Sequence, residues 1–119
     1  MKIVLVWASE NPDKFWNKIL KNLIDKWYTV IPVNPKSDNI LGLKAFQTIW
    51  DIKENYDVVN FVVPPSVTLS ILQEYKDVLG KKKIWCQPGS SDDNIKQFLS
   101  ENNFTDFILD SCIMLKKID

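Results

Sequence analysis

Side chains equipped for proton transfer or metal binding are scarce in this chain. It has no histidine, which removes the commonest general base and the commonest metal ligand. All 15 of its basic side chains are lysine, so an anion meets point charges and backbone amides rather than the bidentate fork of arginine. Cys86 and Cys112 stand far apart with no metal spacing and read as packed thiols of a reducing cytoplasm rather than a disulfide or redox pair. No residue is assigned a catalytic role, and no metal is expected. The remaining chemistry is that of the backbone. Ala8-Ser9-Glu10-Asn11-Pro12 joins the apolar run Lys2–Val6 to a segment in which Phe15, Ile19, Leu20 and Leu23 recur at helical spacing. Strand, short turn and helix N-terminus converge free N–H groups where the helix dipole is positive, which is a geometry that binds phosphate.

The elements that must position this turn follow from periodicity. Buried strands are expected at residues 2–6, 29–33, 57–63 and 83–86, with a final one over 104–109. Helices are expected after Pro12, from Ser66 toward Gly80, and from Ser90-Ser91-Asp92-Asp93 onward, where acidic and capping residues open the turn. Residues 40–46 read as a short extended piece and 48–53 as one helical turn, with a tail from Asp110. Strands alternating with helices predict a single α/β domain over residues 1–119, a doubly wound parallel five-stranded sheet with helices on both faces. In such folds the ligand lies outside the carboxyl ends of the strands. Those ends carry Ala8–Pro12, Asn34–Lys36, Pro64–Ser66, Gln87–Gly89 and Ser111–Met114. The balance of 15 basic and 15 acidic residues predicts no nucleic-acid partner. No segment approaches the length of a membrane span, so a cytoplasmic protein is expected.

Five short motifs in register resemble the CoA-binding domain family of bacteria and archaea, whose Rossmann-like fold also forms the nucleotide-binding half of the succinyl-CoA synthetase α subunit. They are Ala8-Ser9-Glu10-Asn11-Pro12-Asp13-Lys14, Val33-Asn34-Pro35-Lys36, Pro64-Pro65, Gln87-Pro88-Gly89 and Cys112-Ile113-Met114. The resemblance implies noncatalytic binding of CoA or an acyl-CoA. The turn Ser9–Pro12, with Trp7 and Ala8 before it and Lys14 after it, would hold the pyrophosphate. Lys36 would suit the 3′-phosphate, where an acidic residue would suit free ribose hydroxyls. Val63-Pro64-Pro65 would wall the adenine, and Gln87–Gly89 with Cys112–Met114 would close toward the pantetheine arm. The partner implied is a small-molecule nucleotide, in a setting that leaves room for a homo-oligomer or an acyl-CoA synthetase-type partner chain. Two alternatives stand beside this reading: an NAD-type dinucleotide-binding redox sensor or oxidoreductase, and a degenerate interaction domain that binds no nucleotide.

The chain departs from the family pattern at three tryptophans. Trp7 stands where the family has its first glycine, at a turn whose backbone must approach the ligand closely. Trp16 and Trp27 also stand where relatives commonly carry glycine or another small residue, Trp27 at the expected stop of the first helix. Five tryptophans against three glycines invert the usual proportions, since glycine averages about 7%. One codon accounts for all three positions: TGA is tryptophan under one alternative code and glycine in some bacterial lineages. The competing expectation is that the source encodes tryptophan and the site has degenerated or changed its ligand. Trp85 falls where relatives also accept tryptophan.

Overall fold

A computed structural model describes residues 1–6, 15–40 and 42–115 of the chain. Its frame is one parallel sheet of five strands: β1 (Lys2–Val6), β2 (Thr29–Val33), β5 (Val58–Phe61), β6 (Lys83–Cys86) and β7 (Phe107–Ile108), in the order β2-β1-β5-β6-β7. β1 pairs with β2 from Lys2↔Thr29 to Val6↔Val33 and with β5 from Ile3↔Val58 to Val6↔Phe61. The order reverses between β1 and β5, so that gap is the topological switch point of a doubly wound Rossmann-like sheet.

Alternation of side chains sends the two halves of each strand to opposite layers. Ile3, Leu5, Val58 and Trp85 pack against Ile19, Leu20 and Leu23 of helix α1 (Phe15–Asp25) and against Ile113. Val4, Val6, Ile31, Val59, Phe61 and Ile84 pack on the other side, against Leu72 of α2 (Pro65–Glu74), Leu79 of α3 (Lys76–Leu79), and Ile95 and Leu99 of α4 (Asp93–Glu101). Asp92 caps α4 by accepting the Ile95 N–H at 3.0 Å.

Local geometry refines three expectations. The extended piece at 40–46 contains a tight antiparallel hairpin, β3 (Asn39–Ile40) with β4 (Leu43–Lys44), turned at Gly42 with φ +80°. Residues 48–53 contain a 3-10 turn over Ile49–Asp51, and with the hairpin this replaces a helix as the crossover from β2 to β5. The last strand shrinks to Phe107–Ile108, and the tail forms another 3-10 turn over Ile113–Leu115.

Helix α1 ends in a Schellman motif. The Tyr28 N–H donates to Leu23 O at 3.1 Å, and the Trp27 N–H donates to Ile24 O at 2.9 Å. Trp27 occupies the left-handed position of that motif with φ +70° and is 93% exposed. Glycine fits this conformation without strain, and an L side chain does not.

Candidate functional site

At the switch point the strands end in a cleft of about 160 Å³. Val6, Val33 and Val63, which terminate the β1, β2 and β5 segments, form its floor. Val67, Ile71 and Tyr75 from α2 and its end make one wall, and Pro35 with Gln47, Thr48 and Ile49 makes the other. The lining is mainly apolar, and among the described residues Glu74 supplies its one charge. A small, mainly apolar cleft with a few polar groups among its lining suits a heterocyclic base.

Val33, Pro35 and Val63 of the expected site residues line this cleft. Asn34 is buried, and its Oδ1 accepts the Lys36 N–H at 2.8 Å, which folds the chain into a tight turn. Its own N–H donates to Phe46 O at 2.8 Å. Lys36 is thereby held at the exposed tip of the turn, beside the cleft. Pro64 is the N-cap residue of α2 and Pro65 its first helical residue, where a missing N–H costs nothing. The pair starts the helix, and the apolar wall itself comes from Val63, Val67 and Ile71.

The remaining motifs gather beyond β6. Gln87 is buried, and its Oε1 accepts the Ile113 N–H at 2.8 Å. Gln87 O also accepts the Ser90 N–H at 2.9 Å across Pro88 and Gly89, whose φ of +87° makes a type II turn. Ile113 is buried in the α1-side layer with Met114 packed against it, and Cys112 is half-buried. The buried indole of Trp85 donates to Ser111 O at 2.8 Å, and Lys26 Nζ donates to Met114 O at 2.6 Å. The segment Ser111–Met114 is thus tied to strand β6 at one end and to the end of helix α1 at the other.

The structure brings the predicted residues to one end of the sheet in two groups, one around the cleft and one beyond β6. Trp7, Ala8, Ser9, Asn11, Pro12 and Lys14 lie outside the described residues. Sequence reasoning missed Gln47, Ile49, Glu74 and Tyr75 as cleft residues. Their only signals were a helical turn and a helix face, since the crossover that carries Gln47 across β2 has no motif of its own.

Thiol chemistry divides between the cysteines. Burial pushes the Cys86 thiol up from 9.0 to about 12, so it is an inert packed group. Among the described residues, no cluster of three or more His, Cys, Asp or Glu could hold a metal ion. No described helix is long and apolar enough to cross a membrane.

Comparison with known proteins adds three findings. A family model described as the CoA binding domain matches residues 1–117. Several curated proteins match the sequence. An uncharacterized protein of Bacillus subtilis strain 168, YneT, is 30% identical over 112 residues, covering 94% of this chain and 82% of that protein. The ADP-forming acetate–CoA ligase of Methanocaldococcus jannaschii is 33% identical over 82 residues, 69% of this chain but 11% of the ligase. Among solved structures, a conserved hypothetical protein from Pyrococcus furiosus superposes with a TM-score of 0.89 at 41% identity, covering 98% of both chains.

Proposed function

The chain belongs to the CoA binding domain family, and from that premise we propose that it binds CoA or an acyl-CoA at the carboxyl ends of its strands without catalysing a reaction alone. The carrying observation is the apolar cleft floored by Val6, Val33 and Val63 at the switch point, with the Lys36 turn at its rim. Adenine would lie in that cleft between Pro35 and the α2 wall. The Lys36 ammonium would face the 3′-phosphate as a point charge. The turn Ser9–Pro12 would take the pyrophosphate, and Gln87–Gly89 with Cys112–Met114 would flank the pantetheine arm. CoA supplies its own thiol as the reactive group.

Ligase chemistry, if this chain takes part in any, would come from a partner chain. The chain matches a small fraction of the acetate–CoA ligase, and residues 1–119 read as one binding domain. A reducing cytoplasm suits the buried Cys86.

Calorimetric titration with CoA of the chain as written and of its Trp7→Gly variant tests the proposal. Saturable binding by either protein supports it. Binding by the glycine variant alone means that one indole blocks the phosphate turn. Binding by neither, or preference for NADH over CoA in competition, overturns it.

A further inference from the structure

A second basin opens at the opposite end of the sheet, where the chain enters β5 and β6. It measures about 470 Å³ and lies between the 3-10 turn Ile49–Asp51 and the segment Val78–Lys82. Three lysines line it, Lys53, Lys81 and Lys82, with Glu54 as the one anion. Glu54 is already paired with Lys2 at 3.2 Å, so the basin carries a net positive charge toward solvent. Its floor is Tyr56, only 6% exposed, whose hydroxyl has no hydrogen-bond partner among the described residues. Lys82 Nζ lies 4.6 Å above the centre of the Tyr56 ring. Trp50, 66% exposed, forms the outer lip and packs its ring against Tyr75 at 6.1 Å.

A buried hydroxyl left unpaired is costly, and it is retained where something else completes it. A half-buried ammonium over an aromatic face is held only weakly and can swing to a better anion. We propose that this basin binds a compact phosphate group, free or as a monoester. Lys82 would lift from the Tyr56 ring onto the anion, which uncovers the Tyr56 hydroxyl as a donor, while Lys53 and Lys81 neutralise the remaining charge. Three lysine point charges suit a compact dianionic phosphate better than a singly charged carboxylate, because each ammonium adds a full charge and sets no fork geometry. The basin shares Ile49 with the cleft and meets it through the Trp50–Tyr75 contact, but it opens at the other end of the sheet and the proposal does not rest on CoA binding.

The test is a titration of the ¹⁵N-labelled full chain with inorganic phosphate, and separately with glycerol phosphate, at constant ionic strength set by chloride. Saturable amide shifts are expected at residues 49–56 and 78–82. Equal response to both ligands identifies free phosphate as sufficient, and stronger response to glycerol phosphate identifies an ester. Lys82→Gln should weaken binding roughly fivefold. Tyr56→Phe should weaken binding and yet raise the Tm in phosphate-free buffer, a pair of effects that a merely structural tyrosine would not give. Shifts confined to the Lys36 turn, equal response to chloride alone, or no saturation would each overturn the site.

Discussion

Replacing Trp27 by glycine should make the protein more stable. Trp27 sits at the left-handed position of the Schellman motif that ends α1, with φ +70°. Holding an L residue there costs about 1–2 kcal/mol through contact between its Cβ and the backbone. Glycine removes that strain and returns about 0.4–1 kcal/mol to the unfolded chain as added freedom. The indole is 93% exposed, so almost no packing is lost with it. The balance is a gain of about 1 kcal/mol, or about 4 °C in Tm for a chain of this size.

Thermal and urea unfolding of the chain as written, Trp27→Gly and Trp27→Ala measure this. Alanine removes the same indole but keeps a Cβ, so it separates the backbone argument from the loss of an exposed apolar side chain. Glycine should exceed alanine by most of the predicted gain. Equal stability of the two variants, or a loss with glycine, would refute the reasoning. The same geometry bears on the gene: a TGG codon at position 27 would remove this position from the glycine explanation, and a TGA codon would leave it open. Trp85 makes the internal contrast, since its indole is fully buried and donates to Ser111 O. Trp85→Gly should unfold the protein.

Three further outcomes are expected. Lys36→Ala should weaken CoA by up to about 1 kcal/mol, about fivefold, and leave dephospho-CoA nearly unchanged in calorimetry; equal loss for both would remove Lys36 from the 3′-phosphate. Cys86 keeps its proton to about pH 12 when folded, against 9.0 as the ordinary value. Between these values the unfolded chain binds fewer protons than the folded one, so stability is complete below pH 9 and falls as pH rises. The loss is about 2 kcal/mol between pH 8 and 10.5, with buried Tyr56 adding in the same direction above its ordinary 10.0. Urea unfolding across that range should show a flatter profile for Cys86→Ala, and an unchanged slope would contradict the assignment. Asn60 is fully buried in the central strand β5, between Leu5 and Trp85, and neither polar atom of its amide has a partner among the described residues. Asn60→Leu should therefore raise stability by about 1–3 kcal/mol, and a fall in Cm would show that this amide is satisfied.

Regular, locally encoded features were legible. The continuous apolar runs of β1, β2, β5 and β6 have no hydrophilic face, so only a sheet covered on both sides accommodates them. Ser90-Ser91-Asp92-Asp93 announced the start of α4, within which Asp92 is the cap. Pro64-Pro65 announced the stop of β5, but Ser66, expected to cap α2, lies inside it, since Pro64 takes the cap position and Pro65 the first turn. The crossover between β2 and β5 was less legible because its turns are held by distant partners. Ala45 N–H donates to Asp38 O and Phe46 N–H to Pro32 O, and neither bond leaves a periodic trace. The cleft shares that difficulty. Val33 and Val63 could be read from strand ends, whereas Gln47, Ile49 and Tyr75 reach the same space only through tertiary packing. The basin at the other end of the sheet had no sequence signal at all, since Lys53 and Lys81-Lys82 are 28 residues apart at closest and meet only because β5 and β6 start side by side.

The buried amides in the resemblance motifs change what those motifs mean. Asn34 and Gln87 were read as ligand contacts, yet each spends its carbonyl oxygen inside the protein, on Lys36 N–H and Ile113 N–H. Each amide nitrogen is buried without a partner. Such a residue builds a loop and keeps one donor in reserve at the end of the sheet. Asn34 would then act through Lys36, by fixing the turn that presents its ammonium, and Gln87 through the segment Cys112–Met114. In the proposed site two kinds of residue would act together: exposed or cleft-lining groups such as Lys36, Pro35 and Val63 that would touch the ligand, and buried amides that decide where those groups stand. The motif spacing in the chain reflects the second kind as much as the first, because a side chain that must bridge two strand ends tolerates no slip in register.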